Sequence, residues 1–213
     1  MFNYRVSIKV SKKGRTMIYS IYGYGKMKTE ASIGCAIRAL GNGESVLFVQ
    51  FLKDGTSTEV DYFKGKNNIL VMNGDVDKIT LPSNLTTVDK FKAQSLYNQV
   101  DEKLKDDYGL VILDEILPAV DMGLITIEQI EYLISKCDKM CIDLFMTGRV
   151  RQKSLRLKIA ELSDVCTDAH CVKHNHNSHC EKCGKDYPYH YTYCCDCGAQ
   201  LVESKEAKLG RDF

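Results

Sequence analysis

Residues 22–29, Tyr-Gly-Tyr-Gly-Lys-Met-Lys-Thr, come close to a phosphate-binding loop. The standard pattern G-x-x-x-x-G-K-[ST] closes backbone N–H groups around phosphate oxygens, with glycines where the chain must turn tightly. Lys28 and Thr29 stand where the phosphate lysine and the magnesium hydroxyl belong, and Tyr22 and Met27 hold the two glycine positions. A β-rich apolar run (17–22) precedes the loop and a helical pattern (31–40) follows it. A strand, a glycine turn and a helix N-terminus together form an anion site. A chain with that unit near its start is expected to build an α/β fold around it.

The rest of the chain alternates in the same way. Ile33, Ile37 and Leu40 share one helical face, and Gly41-Asn42-Gly43 supplies a helix stop. Residues 46–52 form a nearly continuous apolar run, as expected of a strand buried on both faces of a parallel sheet. Residues 69–72 read as a further strand, and Ala93, Tyr97, Val100 and Leu104 recur at helical spacing. Residues 110–115 form a buried strand ending in Asp114 and Glu115. Thr126 with Gln129 resembles a capping box opening a helix through Cys137. Strand 142–146, helix 153–162 and strand 165–167 complete the pattern, with a strand also expected over 15–21. The expectation is a RecA-like, doubly wound, mostly parallel sheet.

The net charge is +1, which argues against bulk attraction to nucleic acid or to acidic membrane. No apolar run approaches the roughly 20 residues of a membrane span, and residues 1–13 carry no signal-peptide core. A cytoplasmic protein is expected.

Six of the ten cysteines fall between Cys171 and Cys197. Cys180-x-x-Cys183-Gly184 and Cys194-x-x-Cys197-Gly198 are two knuckles, each able to present two thiolates to one tetrahedral ion. Four thiolates complete a structural zinc shell, with Cys195, His174, His176 and His179 as alternative ligands. Residues 187–193 alternate enough to form a small hairpin. The ribbon staples a segment with little core of its own, and a protein partner there is an open expectation. Cys35, Cys137 and Cys141, like Met72, Met122, Met140 and Met146, read as packing residues. Arg149, Arg151, Lys153, Arg156 and Lys158 read as a solvated cationic face.

Asp114 and Glu115 end their strand on the edge where such sheets bind ligands, and one such carboxylate commonly holds Mg²⁺. With Lys28 and Thr29 they imply a nucleoside triphosphate ligand. At this point the chain resembles the P-loop corrinoid (cob(I)alamin) adenosyltransferases, whose loop reads approximately T-G-N-G-K-G-K-T-T. Gly23, Gly25, Lys26, Lys28 and Thr29 match it, as do segments 38–41, 49–53, 111–115, 147–149, 172–174 and 207–213. The resemblance implies a nucleotide-binding domain over 1–172, a zinc ribbon inserted at 173–202 and a tail, 203–213, returning to the first domain. It also implies that a Co(I) corrinoid attacks the ribose 5′ carbon of ATP and that triphosphate departs. No general base is needed, because the nucleophile carries no proton.

By the same resemblance, Lys28, Glu115 and Arg149 are the catalytic residues. Gly23, Tyr24, Gly25, Lys26, Met27, Lys28, Thr29, Glu30, Arg38 and Asp114 contact the nucleotide, and Thr29 with Glu115 holds Mg²⁺. Relatives often pair as homodimers. The chain departs from the family at Met27 (a glycine there), Glu30 (a threonine) and Tyr24 (an asparagine). The family's Phe- and Trp-containing segment is replaced by 75–81, leaving Ile79, Leu81, Tyr62 or Phe63 as substitutes in a chain without tryptophan. Two other functions fit: a non-enzymatic nucleotide or corrinoid binder acting through its ribbon, and a nucleoside kinase similar to the thymidine kinases that also carry a zinc ribbon.

Overall fold

The computed structural model describes residues 16–53, 55–74, 85–104, 107–170, 177–188, 194 and 199–203. They divide into two compact units. The first holds the residues up to Gly23 and Met27–Ala169; the second holds His170 onward together with Tyr24–Lys26.

Six strands build the first unit: β1 (Ile18–Gly23), β2 (Val46–Gln50), β3 (Ile69–Asn73), β4 (Leu110–Asp114), β5 (Asp143–Gly148) and β6 (Val165–Ala169). Their order is β3-β2-β4-β5-β1-β6, and every pairing is parallel. This is the expected α/β parallel sheet. All C-terminal strand ends therefore lie along one edge, with Gly23, Gln50, Asp114 and Gly148 side by side. One strand, β5, separates the loop strand β1 from the carboxylate strand β4.

Helices cover both faces. Helices α3 (Thr87–Lys103), α4 (Ile116–Asp121), α5 (Ile127–Met140) and α6 (Lys153–Leu162) pack on one face. There Leu47, Val49, Val111, Leu113, Leu144 and Met146 meet Leu96, Val100, Leu133, Cys137 and Ile159. Helices α1 (Lys28–Gly41) and α2 (Thr58–Phe63) take the other face, where Val46, Phe48, Leu110, Ile112 and Phe145 meet Ala36, Ala39 and Phe63. The alternation along β2 and β4 sends successive side chains to opposite faces. Both faces are apolar, so the strands read as unbroken hydrophobic runs.

Several sequence expectations need correction. The buried stripe of α1 is Ser32, Ala36 and Ala39, whereas Ile37 is 49% exposed and Ile33 and Leu40 are half-buried. Small side chains let the helix backbone lie close to the sheet, so the bulky residues move to the flanks. Cys137 is core, but Cys141 is the left-handed cap ending α5 (φ 58). Arg151 of the cationic run binds the buried Asp121 at 3.0 Å, and Lys158 reaches Glu131 at 2.9 Å. The run is thus partly neutralised by residues distant in sequence. The Thr126–Gln129 capping box is present, and Thr86–Asp89 forms a second one that opens α3.

The turn after β5 depends on glycine. Gly148 has φ +139, and a Cβ there would lie 2.1 Å from Cδ of Pro118 in the first turn of α4. Gly148→Ala is expected to lose about 2–3 kcal/mol of stability through strain and overpacking. A urea midpoint unchanged from wild type would show that Pro118 yields.

The second unit contains a three-stranded antiparallel sheet of β7 (Asn177–His179), β8 (Asp186–Pro188) and β9 (Val202–Glu203), in the order β8-β7-β9. Strands β7 and β8 form a hairpin, with the first cysteine knuckle as its turn. It precedes the hairpin expected over 187–193, of which 189–193 lie outside the described residues. Also outside them are residues 75–81 with Ile79 and Leu81, segment 172–174, His174, His176, Cys171, Cys195, Cys197 and the 207–213 tail.

Candidate functional site

At the start of α1, Met27 adopts φ 77, ψ 5, the left-handed conformation that favours glycine. Its side chain is 67% exposed, and no side chain caps the helix. The methionine therefore keeps a glycine-like backbone and points its thioether away from the fold. A non-glycine residue in this region costs roughly 1–2 kcal/mol. Met27→Gly is expected to raise stability by about 1 kcal/mol, read as a higher thermal midpoint. A lower midpoint would mean that the thioether makes a stabilising contact. Gly23 is also constrained: at φ +118, a Cβ would lie 2.4 Å from the carbonyl oxygen of Ala169.

Lys28 and Thr29 follow on the first turn of α1, facing the end of β4. Asp114 there is wholly buried. Its Oδ1 accepts hydrogen bonds from the Thr29 hydroxyl (3.0 Å) and the Thr147 hydroxyl (2.6 Å). Its Oδ2 accepts from the Lys53 ammonium (2.9 Å) and the Gln50 amide (3.3 Å). Four donors, one of them charged, hold a carboxylate that would otherwise be expensive to bury. Lys53 also reaches Glu59 of α2 at 3.0 Å, and Gln50 donates to the same carboxylate at 2.9 Å. Ser57, at the head of α2, donates to Gln50 Oε1 at 3.0 Å. The helix is held against the sheet by Phe63, whose ring packs on Phe48 with centroids 5.9 Å apart.

Glu115 follows Asp114 with φ 57, a turn that redirects its side chain toward Gly148. A Cβ at Gly148 would lie 3.3 Å from Glu115 Oε2. The Glu115 backbone N–H donates to the Thr147 hydroxyl at 3.1 Å, so Thr147 joins both acidic residues. Burial and the neighbouring Asp114 push the Glu115 carboxyl above the ordinary value, while Lys28, Arg149 and Lys53 pull it back. Lys28 is 8% exposed, and burial lowers its pKa despite the attraction of Glu115. Burial also weighs on Lys53, but Asp114 and Glu59 more than offset it, and its pKa is raised.

The structure thus brings Lys28, Thr29, Asp114, Glu115 and Arg149 into one electrostatic cluster. The Thr29 hydroxyl donates to Asp114, the neighbour of the Glu115 that the resemblance gives as its fellow magnesium ligand. Arg38 does not join them: it is exposed in the last turn of α1, ten residues on, and so about 15 Å along the helix. Glu30 is exposed at the first turn and lines a cavity of about 650 Å³ with Thr29, Ile33, Lys53, Ser57, Glu59 and Tyr62. Tyr62 is 57% exposed beside that cavity, whereas Phe63 is core. Tyr24, Gly25 and Lys26 belong to the second unit. Gln50, Lys53, Ser57, Glu59 and Thr147 were not expected as site residues. A polar Gln50 at the end of an apolar strand is the sequence signal that could have pointed to them.

Divalent magnesium takes hard oxygen ligands, and the Thr29 hydroxyl beside Asp114 Oδ1 fits that preference. In the second unit, the Sγ atoms of Cys180, Cys183 and Cys194 all lie within 4.8 Å of one another, and Cys183 and Cys194 are 3.4 Å apart. The two knuckles repeat one backbone bond: Cys180 N–H to Lys185 O and Cys194 N–H to Ala199 O, each five residues on. Gly184 turns at φ +69 with its N–H on the Cys180 carbonyl. Three converging thiols suit a tetrahedral zinc ion.

The family model for the ATP:corrinoid adenosyltransferases BtuR/CobO/CobP matches residues 12–184. A corrinoid adenosyltransferase of Pseudomonas aeruginosa is 29% identical over 165 residues, covering 76% of this chain and 78% of its own length. Another, of Escherichia coli K12, is 26% identical over 176 residues, covering 80% and 83%. Among solved structures, the flagellar accessory protein FlaH of Methanocaldococcus jannaschii gives a TM-score of 0.46 at 12% identity, over 72% of this chain and 71% of that one. The match over most of the chain establishes that this protein belongs to the ATP:corrinoid adenosyltransferase family.

Proposed function

We propose that the protein transfers the 5′-deoxyadenosyl group of ATP to a Co(I) corrinoid and releases triphosphate. The electron pair of Co(I) forms the bond to C5′, the C5′–O bond breaks, and the electrons of that C5′–O bond leave on the triphosphate oxygen. The observation that carries this reading, within the family, is the Lys28–Thr29 turn set against the fully buried, four-donor Asp114.

The nucleophile needs no deprotonation, so the site's task is to stabilise charge developing on the leaving group. Lys28 and the N-terminal amides of α1 are suited to that, with Arg149 adding a second cation from the end of β5. Thr29 and Asp114 would hold the magnesium, with Glu115 beside them, and the ion would neutralise triphosphate charge. Thr147 holds the Asp114 carboxylate and the Glu115 backbone N–H through its hydroxyl. Phosphate contacts from Gly23, Tyr24, Gly25, Lys26, Met27 and Glu30 belong to the same reading. Arg38 does not, unless a further subunit brings a ligand to the far end of α1.

The cysteine cluster is proposed as a structural zinc site, Cys180, Cys183, Cys194 and Cys197. A homodimer, a partner at the ribbon and a cytoplasmic setting complete the proposal. Among the described residues no helix is long and apolar enough to cross a membrane.

The test is to mix the protein with MgATP and chemically reduced cob(I)alamin under anaerobic conditions. A light-sensitive adenosyl product, formed with stoichiometric triphosphate, is expected. Tight ATP binding without product would instead identify a binding relative, and phosphorylation of a nucleoside would identify a kinase.

A further inference from the structure

We propose that Lys53 is the resident counter-ion of Asp114, which yields that carboxylate to the divalent cation of the incoming nucleotide and falls back on Glu59. The inference rests on reading Thr29 and Asp114 as the metal-holding pair. Asp114 is wholly buried, and the ammonium of Lys53 touches its Oδ2 at 2.9 Å. A buried carboxylate without a cationic partner is costly, and Lys53 supplies that partner. A metal ion at the same carboxylate repels that ammonium.

The alternative position for Lys53 is already built. Glu59 Oε1 lies 3.0 Å from the same Nζ, on a helix anchored to the sheet through Phe63. Gln50 spans both acids, at 3.3 Å to Asp114 and 2.9 Å to Glu59, and so holds them within one lysine's reach. The cavity bordered by Thr29, Lys53 and Glu59 gives the side chain room to move. The Lys53 side chain is 26% exposed, so its movement does not require the core to open. Metal affinity at this site is therefore set by a competition between the metal and Lys53, and Glu59 decides how readily Lys53 lets go.

The two partners then have opposite effects. Lys53→Met removes the competitor and is expected to lower the Mg²⁺ concentration for half-maximal stabilisation by about tenfold, the effect of one nearby unit charge. Glu59→Gln removes the fallback and is expected to raise it by about threefold, a partial loss of the same attraction. The measurement is the thermal midpoint of the full chain with saturating ATP and no corrinoid, titrated with MgCl₂. In metal-free buffer Lys53→Met should melt below wild type, and Mg²⁺ should restore it.

A plain structural ion pair predicts that both variants lose stability by amounts independent of Mg²⁺, with unchanged half-points. That result overturns the proposal and leaves the adenosyltransferase reading intact. A wild-type protein that shows no Mg²⁺-dependent rise overturns the metal reading and this inference together. If Lys53→Met does not fold, the Glu59→Gln half-point alone decides: a value equal to or below wild type refutes the proposal.

Discussion

Lys28→Met is expected to cut adenosyl transfer by roughly a thousandfold, the upper range for loss of one preorganised donor to a developing anion, while leaving the protein folded. The reasoning starts from burial. The Lys28 ammonium is 8% exposed, and its pKa is depressed chiefly by desolvation. Its folded value lies below its unfolded one, so at neutral pH holding the proton costs stability. That cost fades as pH rises through the folded pKa. Removing the charge removes the cost, and Glu115, already pushed toward protonation by burial, can take a proton rather than stand as an unpaired anion. Thermal midpoints at neutral pH should therefore change little or rise, within about 1 kcal/mol. Loss of transfer with loss of folding would show that Lys28 is a structural residue. Retained transfer would remove the loop from the mechanism.

Cys180→Ser should have the second large effect, confined to the cysteine module. Among the described residues, that unit holds a three-stranded sheet of two- and three-residue strands, with Cys180, Cys194 and Ser178 buried. Such a segment cannot offset its own chain entropy. A structural zinc site contributes on the order of 10 kcal/mol at neutral pH, so losing a thiolate should unfold the module. Metal analysis should show one zinc per wild-type chain and far less in the variant. Limited proteolysis should then begin within residues 177–203, while the helical circular dichroism of the α/β unit persists. A zinc-free wild type that resists protease would refute the assignment.

How far the chain could be read in advance differs from element to element. The apolar runs at 46–50 and 110–114 announced strands buried on both faces, because a parallel sheet sandwiched by helices leaves no polar side. Thr126 and Gln129 announced α5, because a capping box is a local interaction. Helix α2 was missed: its six residues bury Val60 and are held by Phe63 docking on the sheet, a contact that no local period encodes. Helix α4 was missed for the same reason of length and because Pro118 reads as a breaker, although the first turn tolerates it.

Within the site, Lys28, Thr29, Asp114 and Glu115 were legible because each sits at a strand or helix end in a recognisable local pattern. Their connections were not. Thr147, Gln50 and Lys53 reach Asp114 from 33, 64 and 61 residues away in the chain, through strand neighbours set only by the order β2-β4-β5. Met27 shows the converse. From the pattern it is a bulky residue in a glycine place, and the backbone shows that it takes the glycine's conformation with its side chain outward.

Local chemistry was enough for the α/β alternation, the lysine and threonine at the start of α1, the acidic strand end and the first cysteine knuckle, because those features depend on residues within a few positions of one another. Which carboxylate the threonine meets, which lysine neutralises it and how far Arg38 stands from both emerged from the order of the strands and the length of α1. Such relations between distant positions arise when the sheet brings its strand ends to one edge, and no short-range periodicity records them.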